Sequence, residues 1–91
     1  MSELNRSFGR ILSAFRHKAG ISQEKLAFSA GVHRTYVSQL ERGLKGPSLE
    51  TIFLLAHALG VTPNELLPPF AQKPQRRRPA QRKRSRQIER E

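Results

Sequence analysis

The length, composition and charge of the chain exclude several classes of protein. Its 91 residues leave room for one small domain, and a net charge of +10, from 17 basic and 7 acidic residues, points to a polyanionic partner. No apolar run approaches the roughly 18 residues that span a bilayer, no secretory signal is visible, and the absence of cysteine excludes disulfides and thiolate chemistry. We therefore expect a cytoplasmic, nucleoid-associated protein with no membrane contact.

The positive charge is divided unevenly along the chain. Residues 1–70 hold eight basic and five acidic residues, a net charge of +3, whereas residues 71–91 hold nine basic and two acidic residues, a net charge of +7. Apart from two alanines, the only apolar residue of the second segment is Ile88. Burial there cannot offset roughly 1–2 kcal/mol of backbone entropy per residue. We predict a folded domain at residues 1–70 and a disordered basic tail at residues 71–91.

Apolar residues spaced by three and four predict helices through the whole domain, and no segment alternates with the period of a strand. The predicted helices lie between residues 4 and 19, 22 and 31, 33 and 42, 48 and 60, and 62 and 68. The start of the fifth predicted helix has the clearest sequence signal, because Thr62-Pro63-Asn64-Glu65 combines a capping box with a proline in the first turn. The predicted fold is a compact all-α domain of five short helices.

The most informative pattern covers residues 22–42, where two short helices meet at Gly31. Small Ala27 and Ala30 beside the joint permit a close, steep helix crossing, and glycine accepts the positive φ of the turn. Val37 and Leu40 would anchor the second helix on the core. Its other face is polar and contains no acid: Arg34, Thr35, Ser38 and Gln39. Such a face suits a helix that enters the major groove of double-stranded DNA.

This block resembles the helix-turn-helix of the XRE family, the phage-repressor and Cro type of DNA-binding domain. The resemblance continues through four segments: Ala19–Ala27, Leu40–Gly43, Pro47–Thr51 and Ala56–Leu67. Arg34-Thr35-Tyr36 also resembles small restriction-modification controller proteins. The resemblance implies a lambda-repressor-like fold and a transcriptional regulator.

The resemblance also implies roles for individual residues. Three positions match base readers of the recognition helix: Arg34, Thr35 and Gln39. Seven match contacts to the DNA backbone: Ser22, Gln23, His33, Tyr36, Ser38, Arg42 and Lys45. His33 stands where many relatives carry a short capping side chain. Arg16 and Glu41 match an ion pair that ties the first helix to the recognition helix.

Two further surfaces are expected to extend DNA binding. One short recognition helix reads too few base pairs for useful specificity, so we expect a homodimer. Its interface would contain Phe53, Leu66, Leu67 and Phe70, although the leucines and Phe70 could instead close the core. The tail is predicted to add sequence-independent phosphate contacts through Arg76, Arg77, Arg78, Arg82, Lys83, Arg84 and Arg86.

Other functions are less well supported by the residues. His17, His33 and His57 have no metal-ligand spacing, and no serine has a supporting catalytic arrangement, so we expect neither metal, cofactor, small-molecule substrate nor enzymatic activity. The leading hypothesis is a homodimeric regulator on a near-palindromic operator. Two alternatives stay open: an antitoxin-like module that binds a protein, with the tail as a contact, and a non-specific nucleic-acid binder driven by the tail.

Overall fold

A computed structural model describes residues 2–69, which form four α-helices and one 3₁₀ turn. The elements are α1 (Glu3–Lys18), α2 (Gln23–Ala30), α3 (Arg34–Glu41), α4 (Leu49–Leu59) and the 3₁₀ turn (Pro63–Leu66). Residues 2–69 contain no strand, which confirms the predicted all-α class. None of their helices has the length and apolar character needed to cross a bilayer. The predicted tail and Phe70 lie outside the described residues.

The predicted fifth helix is wrong in type, because the segment after α4 is a 3₁₀ turn of four residues. The capping interactions are present: the Glu65 carboxylate accepts hydrogen bonds from the Thr62 backbone N–H at 2.9 Å and from its hydroxyl at 3.1 Å. Pro63 starts the turn and Pro68 follows it closely. Because prolines donate no backbone hydrogen bond and so few residues separate them, the segment forms tighter i→i+3 bonds instead of α-helical ones.

Local signals set the ends of the helix-turn-helix. Ser22 caps α2 by accepting a hydrogen bond from the backbone N–H of Lys25 at 3.0 Å. Gly31 ends α2 with φ of 76°, and the next residue, Val32, donates its N–H to the Ala27 carbonyl at 3.0 Å. His33 stands at the N-cap of α3 but makes no side-chain capping bond. The left-handed residue at Gly31 therefore redirects the chain from α2 into α3.

One core joins all of these elements. Its six fully enclosed large side chains are Leu12, Leu26, Val37, Leu40, Leu55 and Leu66. The four α-helices and the 3₁₀ turn all contribute, so removal of any one element would expose apolar surface of the others. Of the two positions that the sequence allows for Leu66, a dimer interface or the core, the structure has the core. This side chain has no exposed surface in the protomer and offers nothing to a second copy.

Gly9 allows α1 to lie directly against the end of α3. A Cβ atom at Gly9 would collide with the backbone oxygen of Leu40 and lie 2.6 Å from that of Glu41. Backbone atoms this close cannot move aside as a flexible side chain would. A glycine in the middle of a helix therefore sets the distance between α1 and the last turn of α3.

We expect Gly9→Ala to destabilise the domain by about 1–3 kcal/mol, because the methyl group overpacks this contact. Helix propensity alone predicts the opposite, since alanine is more favourable than glycine in a helix by about 1 kcal/mol. Urea unfolding measures the difference. The matched control is Ala14→Gly at an exposed site of the same helix, which should cost about 1 kcal/mol. A Gly9→Ala protein more stable than wild type would contradict the close approach.

Candidate nucleic-acid interface

The side of α3 that faces away from the core is polar and open. Arg34 and Thr35 are exposed in its first turn, and Ser38 and Gln39 are half-buried one turn later. The first turn of α3 contains no acidic residue. A guanidinium, two hydroxyls and an amide on one helical face provide both donors and acceptors, as recognition of base edges requires.

Four of the predicted backbone contacts lie exposed at the ends of α2 and α3. Ser22 and His33 immediately precede these two helices, and Arg42 and Lys45 follow α3. Neither of these cations, nor Arg34, forms a salt bridge with any residue between positions 2 and 69. Their charge therefore remains available to an external anion at both ends of α3.

Tyr36 is turned towards α4. Its hydroxyl donates to the Thr51 hydroxyl at 3.4 Å, and that oxygen lies 2.8 Å from the Ser48 hydroxyl at the N-cap of α4. The Tyr36 side chain also packs against the core cluster. The structure thus gives Tyr36 a role in joining α3 to α4 that the sequence pattern did not reveal. Its contact with the DNA backbone stays a prediction.

Arg16 and Glu41 form an ion pair that joins α1 to the last residue of α3. Arg16 Nε donates to Glu41 Oε2 at 2.6 Å, and Arg16 Nη2 donates to Oε1 at 3.1 Å. The remaining guanidinium nitrogen, Nη1, donates to the Ile21 carbonyl at 2.9 Å in the turn before α2. The two side chains are only 11% and 6% exposed. A bidentate pair in this setting fixes orientation as well as charge.

Gln23 extends the pair to α2. Its Nε2 donates to Glu41 Oε1 at 3.0 Å, so one carboxylate binds side chains from α1 and α2 at once. We call Arg16, Gln23 and Glu41 the ion-pair network. This hydrogen bond was not anticipated, because nothing in the spacing of Gln23 and Glu41 indicates that their side chains meet. The network joins the first residue of α2 to the last residue of α3.

The network keeps Glu41 ionised. Burial acts to raise the pKa of the Glu41 carboxyl, but hydrogen bonds from Arg16 and Gln23, together with the Arg16 charge, outweigh it and leave that pKa below 4.5. The hydrogen bond to Glu41 likewise raises the pKa of Arg16. Because the Glu41 pKa is lowered on folding, its contribution to stability is present above pH 4.5 and is lost as the pH falls through the folded-state pKa.

The structure also bears on the predicted dimer interface and on the histidines. Phe53 on α4 is exposed and Leu67 is half-buried, so both have surface to offer a partner. Within residues 2–69, no three histidine or acidic side chains cluster as metal ligands would. His17 instead pairs with the Ser13 carbonyl of its own helix, 2.8 Å from Nδ1.

This arrangement, two short helices joined at a left-handed glycine with an open polar face on the second, is that of a known family. Residues 12–66 match the family model described as helix-turn-helix. The chain belongs to this family. Its resemblance to XRE-type regulators and to restriction-modification controller proteins is confirmed.

Individual relatives agree with this membership. Control protein C.BamHI of Bacillus amyloliquefaciens is 48% identical over 61 residues, which cover 66% of this chain and 75% of that protein. The crystal structure of the restriction-modification controller protein C.AhdI from Aeromonas hydrophila is 44% identical with a TM-score of 0.68, over 69% of this chain and 96% of the other. The P22 c2 repressor, solved in complex with a synthetic operator, is 35% identical with a TM-score of 0.63, over 66% and 91% of the two chains. The chain is a helix-turn-helix regulator of the controller and repressor type.

We expect Glu41→Ala to cost about 3 kcal/mol of unfolding free energy, because it leaves the Arg16 guanidinium buried without its carboxylate. The double variant Arg16→Met, Glu41→Leu should recover at least half of that loss, since it removes both buried charges and keeps apolar volume between α1 and α3. Urea unfolding of the three proteins tests this difference. A double variant as unstable as Glu41→Ala would show that the cost does not come from an unpaired charge.

Proposed function

We propose that residues 1–70 are a sequence-specific double-stranded DNA-binding domain, and that the protein regulates transcription as a homodimer on a near-palindromic operator. The observation that carries this proposal is the open, polar and acid-free face of α3 on a helix that the core and the ion-pair network hold in place. The P22 c2 repressor, similar over 91% of its own length, is in complex with an operator and supports DNA as the ligand.

In this proposal α3 enters the major groove and its first turn reads base edges. Arg34 is exposed and has no carboxylate partner among the described residues, so its guanidinium can pair with the two acceptors of a guanine. The Thr35 methyl can contact a thymine, and the Gln39 amide can pair with an adenine. Each good bidentate pair is worth about 1–3 kcal/mol of discrimination.

The surrounding residues would hold α3 at a fixed depth in the groove. Arg42 and Lys45 follow the helix and are exposed, so both cations are available to bind phosphates beside the groove. Ser22 and Gln23 begin α2, whose N-terminal end favours an anion. The basic tail, residues 71–91, carries a net charge of +7 and would add affinity without sequence discrimination.

The apolar side of α4 supports dimerisation. Leu49, Phe53 and Leu54 are 73%, 55% and 39% exposed, and the first two lie one turn apart on the same face. Neighbouring exposed apolar side chains on one helix mark an interaction surface, and a two-fold dimer uses one such surface twice. Two copies of α3 would then meet half-sites about 34 Å apart along the duplex.

We expect Arg34→Ala to weaken binding to the cognate operator by about tenfold or more per half-site and to leave binding to random DNA nearly unchanged. Lys45→Ala is the matched control: it should weaken both complexes by the same factor and reduce the salt dependence by about one charge per half-site. Titrations of both duplexes over a salt series give these values.

The cognate operator for that measurement comes from selection of duplexes out of a random pool by the wild-type protein. The proposal predicts an enriched, near-palindromic sequence. A pool without enrichment, or an Arg34→Ala protein that still discriminates as well as wild type, would show that α3 does not read bases.

We expect Phe53→Asp to convert the dimer to monomers, because a carboxylate placed in the apolar surface of α4 would be buried between two copies. Sedimentation velocity measures the mass directly. Phe28→Asp is the control: Phe28 is 84% exposed but lies on α2, so this change should leave the dimer intact. Equal dissociation of both variants would point to general misfolding. A Phe53→Asp protein that remains dimeric would show that the interface does not lie on α4.

A further inference from the structure

The ion-pair network reaches from the interior of the domain to the first residue of α2, which the proposed function places beside a DNA phosphate. We infer that Glu41 is a positioning residue for DNA binding, because it fixes the direction of the Gln23 side-chain amide. Arg16 neutralises the charge of the Glu41 carboxylate that fixes this direction. This inference rests on the proposed function and assigns Glu41 a part in it beyond the packing of α1 against α3.

Glu41 determines which end of the Gln23 amide faces it. An ionised carboxylate accepts hydrogen bonds and cannot donate them, so the nitrogen and not the oxygen of the amide must face Oε1. The Nε2 to Oε1 distance of 3.0 Å agrees with this. The amide nitrogen carries two hydrogens, and Glu41 uses one of them. The second remains for an acceptor outside the domain, such as a phosphate oxygen.

Without Glu41 the amide would have no fixed direction. Gln23 is half-buried at the start of α2. The hydrogen bond that its Nε2 donates to Glu41 is the only one that its side chain makes with another residue between positions 2 and 69. A free glutamine side chain samples several rotamers and presents its oxygen as readily as its nitrogen. An amide oxygen directed at a phosphate is repulsive, so a nitrogen held at Glu41, with its second hydrogen left for the phosphate, removes an unfavourable state as well as an entropic cost.

A carboxylate bonded to a residue that binds phosphate would normally oppose DNA binding. Here Arg16 Nε lies 2.6 Å from Glu41 Oε2, and Arg16 Nη2 shares Oε1 with Gln23. The guanidinium cancels the charge at short range, so the carboxylate can direct the amide without a net negative charge beside the phosphate. The low pKa of Glu41 keeps this arrangement in place at neutral pH.

A positioning role and a purely electrostatic one predict opposite effects for the neutral variant Glu41→Gln. If charge alone mattered, loss of a carboxylate near DNA would strengthen binding. If Glu41 positions Gln23, binding weakens, because a glutamine at position 41 can present its own donor and turn the Gln23 amide around. Glu24→Gln is the matched control: Glu24 is an exposed carboxylate in the first turn of α2, and its removal should strengthen binding slightly.

The experiment is a double-mutant cycle of Gln23→Ala and Glu41→Gln in the full chain, at a temperature where circular dichroism shows every variant folded. Affinity is measured for the selected operator and for a random duplex. We expect each single variant to bind both duplexes about three- to tenfold more weakly, the net worth of one typical hydrogen bond. The double variant should bind no more weakly than Gln23→Ala alone, and the ratio of the two affinities should stay at its wild-type value.

Two results would overturn the inference. An effect of Glu41→Gln that persists undiminished in the Gln23→Ala protein would show that Glu41 does not act through Gln23. A loss confined to the selected operator would show that Glu41 only orients α3 for base reading. A wild-type protein that fails to discriminate between the duplexes is a different outcome, since it removes the proposed function before any variant is compared.

A measurement on the wild type keeps the inference testable if Glu41→Gln does not fold. The two Nε2 hydrogens of Gln23 give separate proton resonances in a ¹⁵N-labelled sample. In the free protein one should exchange slowly with water because Glu41 binds it, and addition of operator DNA should shift the other. Two Gln23 amide protons that both exchange rapidly, or that both stay unchanged on DNA addition, would contradict the inference.

Discussion

An eight-residue helix cannot hold its own shape in water, and α3 has only eight residues. Every other part of the domain can be understood as support for this helix. Val37 and Leu40 attach its inner face to the core, and both side chains are fully buried. Its last residue, Glu41, is bonded to α1 and α2. Because these attachments lie on the inner face or at the C-terminal end, and Tyr36 in the first turn is directed at α4, the outer face with Arg34 and Thr35 remains free for a ligand.

The ion-pair network shows why the attachment at Glu41 is polar. A buried pair adds little net stability over apolar residues of similar volume, since desolvation of both charges offsets their attraction. Leucine and methionine could hold α1 against α3 equally well, but neither could direct an amide. The carboxylate does both, because it has enough acceptor positions for Arg16 and for Gln23. A charged pair in this position is therefore better explained by orientation than by strength.

The features predicted correctly from the sequence are those set within a few residues. The helix starts predicted at residues 22 and 48 coincide with serine caps that each span three residues, and the turn predicted at Gly31 depends on one dihedral angle. The 3₁₀ turn was mistaken for a helix because its capping signal is real, whereas its short length depends on Pro68. Leu66 could be placed either at an interface or in the core from the sequence, because its apolar character is the same whether it meets the core or a second copy.

What could not be predicted depends on elements that meet only in the folded chain. Gly9 lies in an otherwise ordinary helical pattern. A glycine is needed there because the backbone of α3, more than 30 residues later in the sequence, leaves no room for a Cβ atom. The Gln23–Glu41 hydrogen bond spans 18 residues, and the Tyr36–Thr51 bond spans 15. The Arg16–Glu41 pair spans 25 residues, yet it could be anticipated, because the family resemblance carries information on contacts that spacing does not.

The positions of the charged side chains in the domain matter more than its net charge. Three of its five carboxylates have partners within the domain: Glu3 with Arg6, Glu41 with Arg16, and Glu65 with the backbone at Thr62. The cations at the two ends of α3 have none among the described residues, so the field near α3 is more positive than a net charge of +3 implies. Long-range attraction by the full +10 is screened within about 8–10 Å at physiological salt and treats all DNA alike. Discrimination must then come from side chains in contact with bases, and the fold determines where those side chains lie.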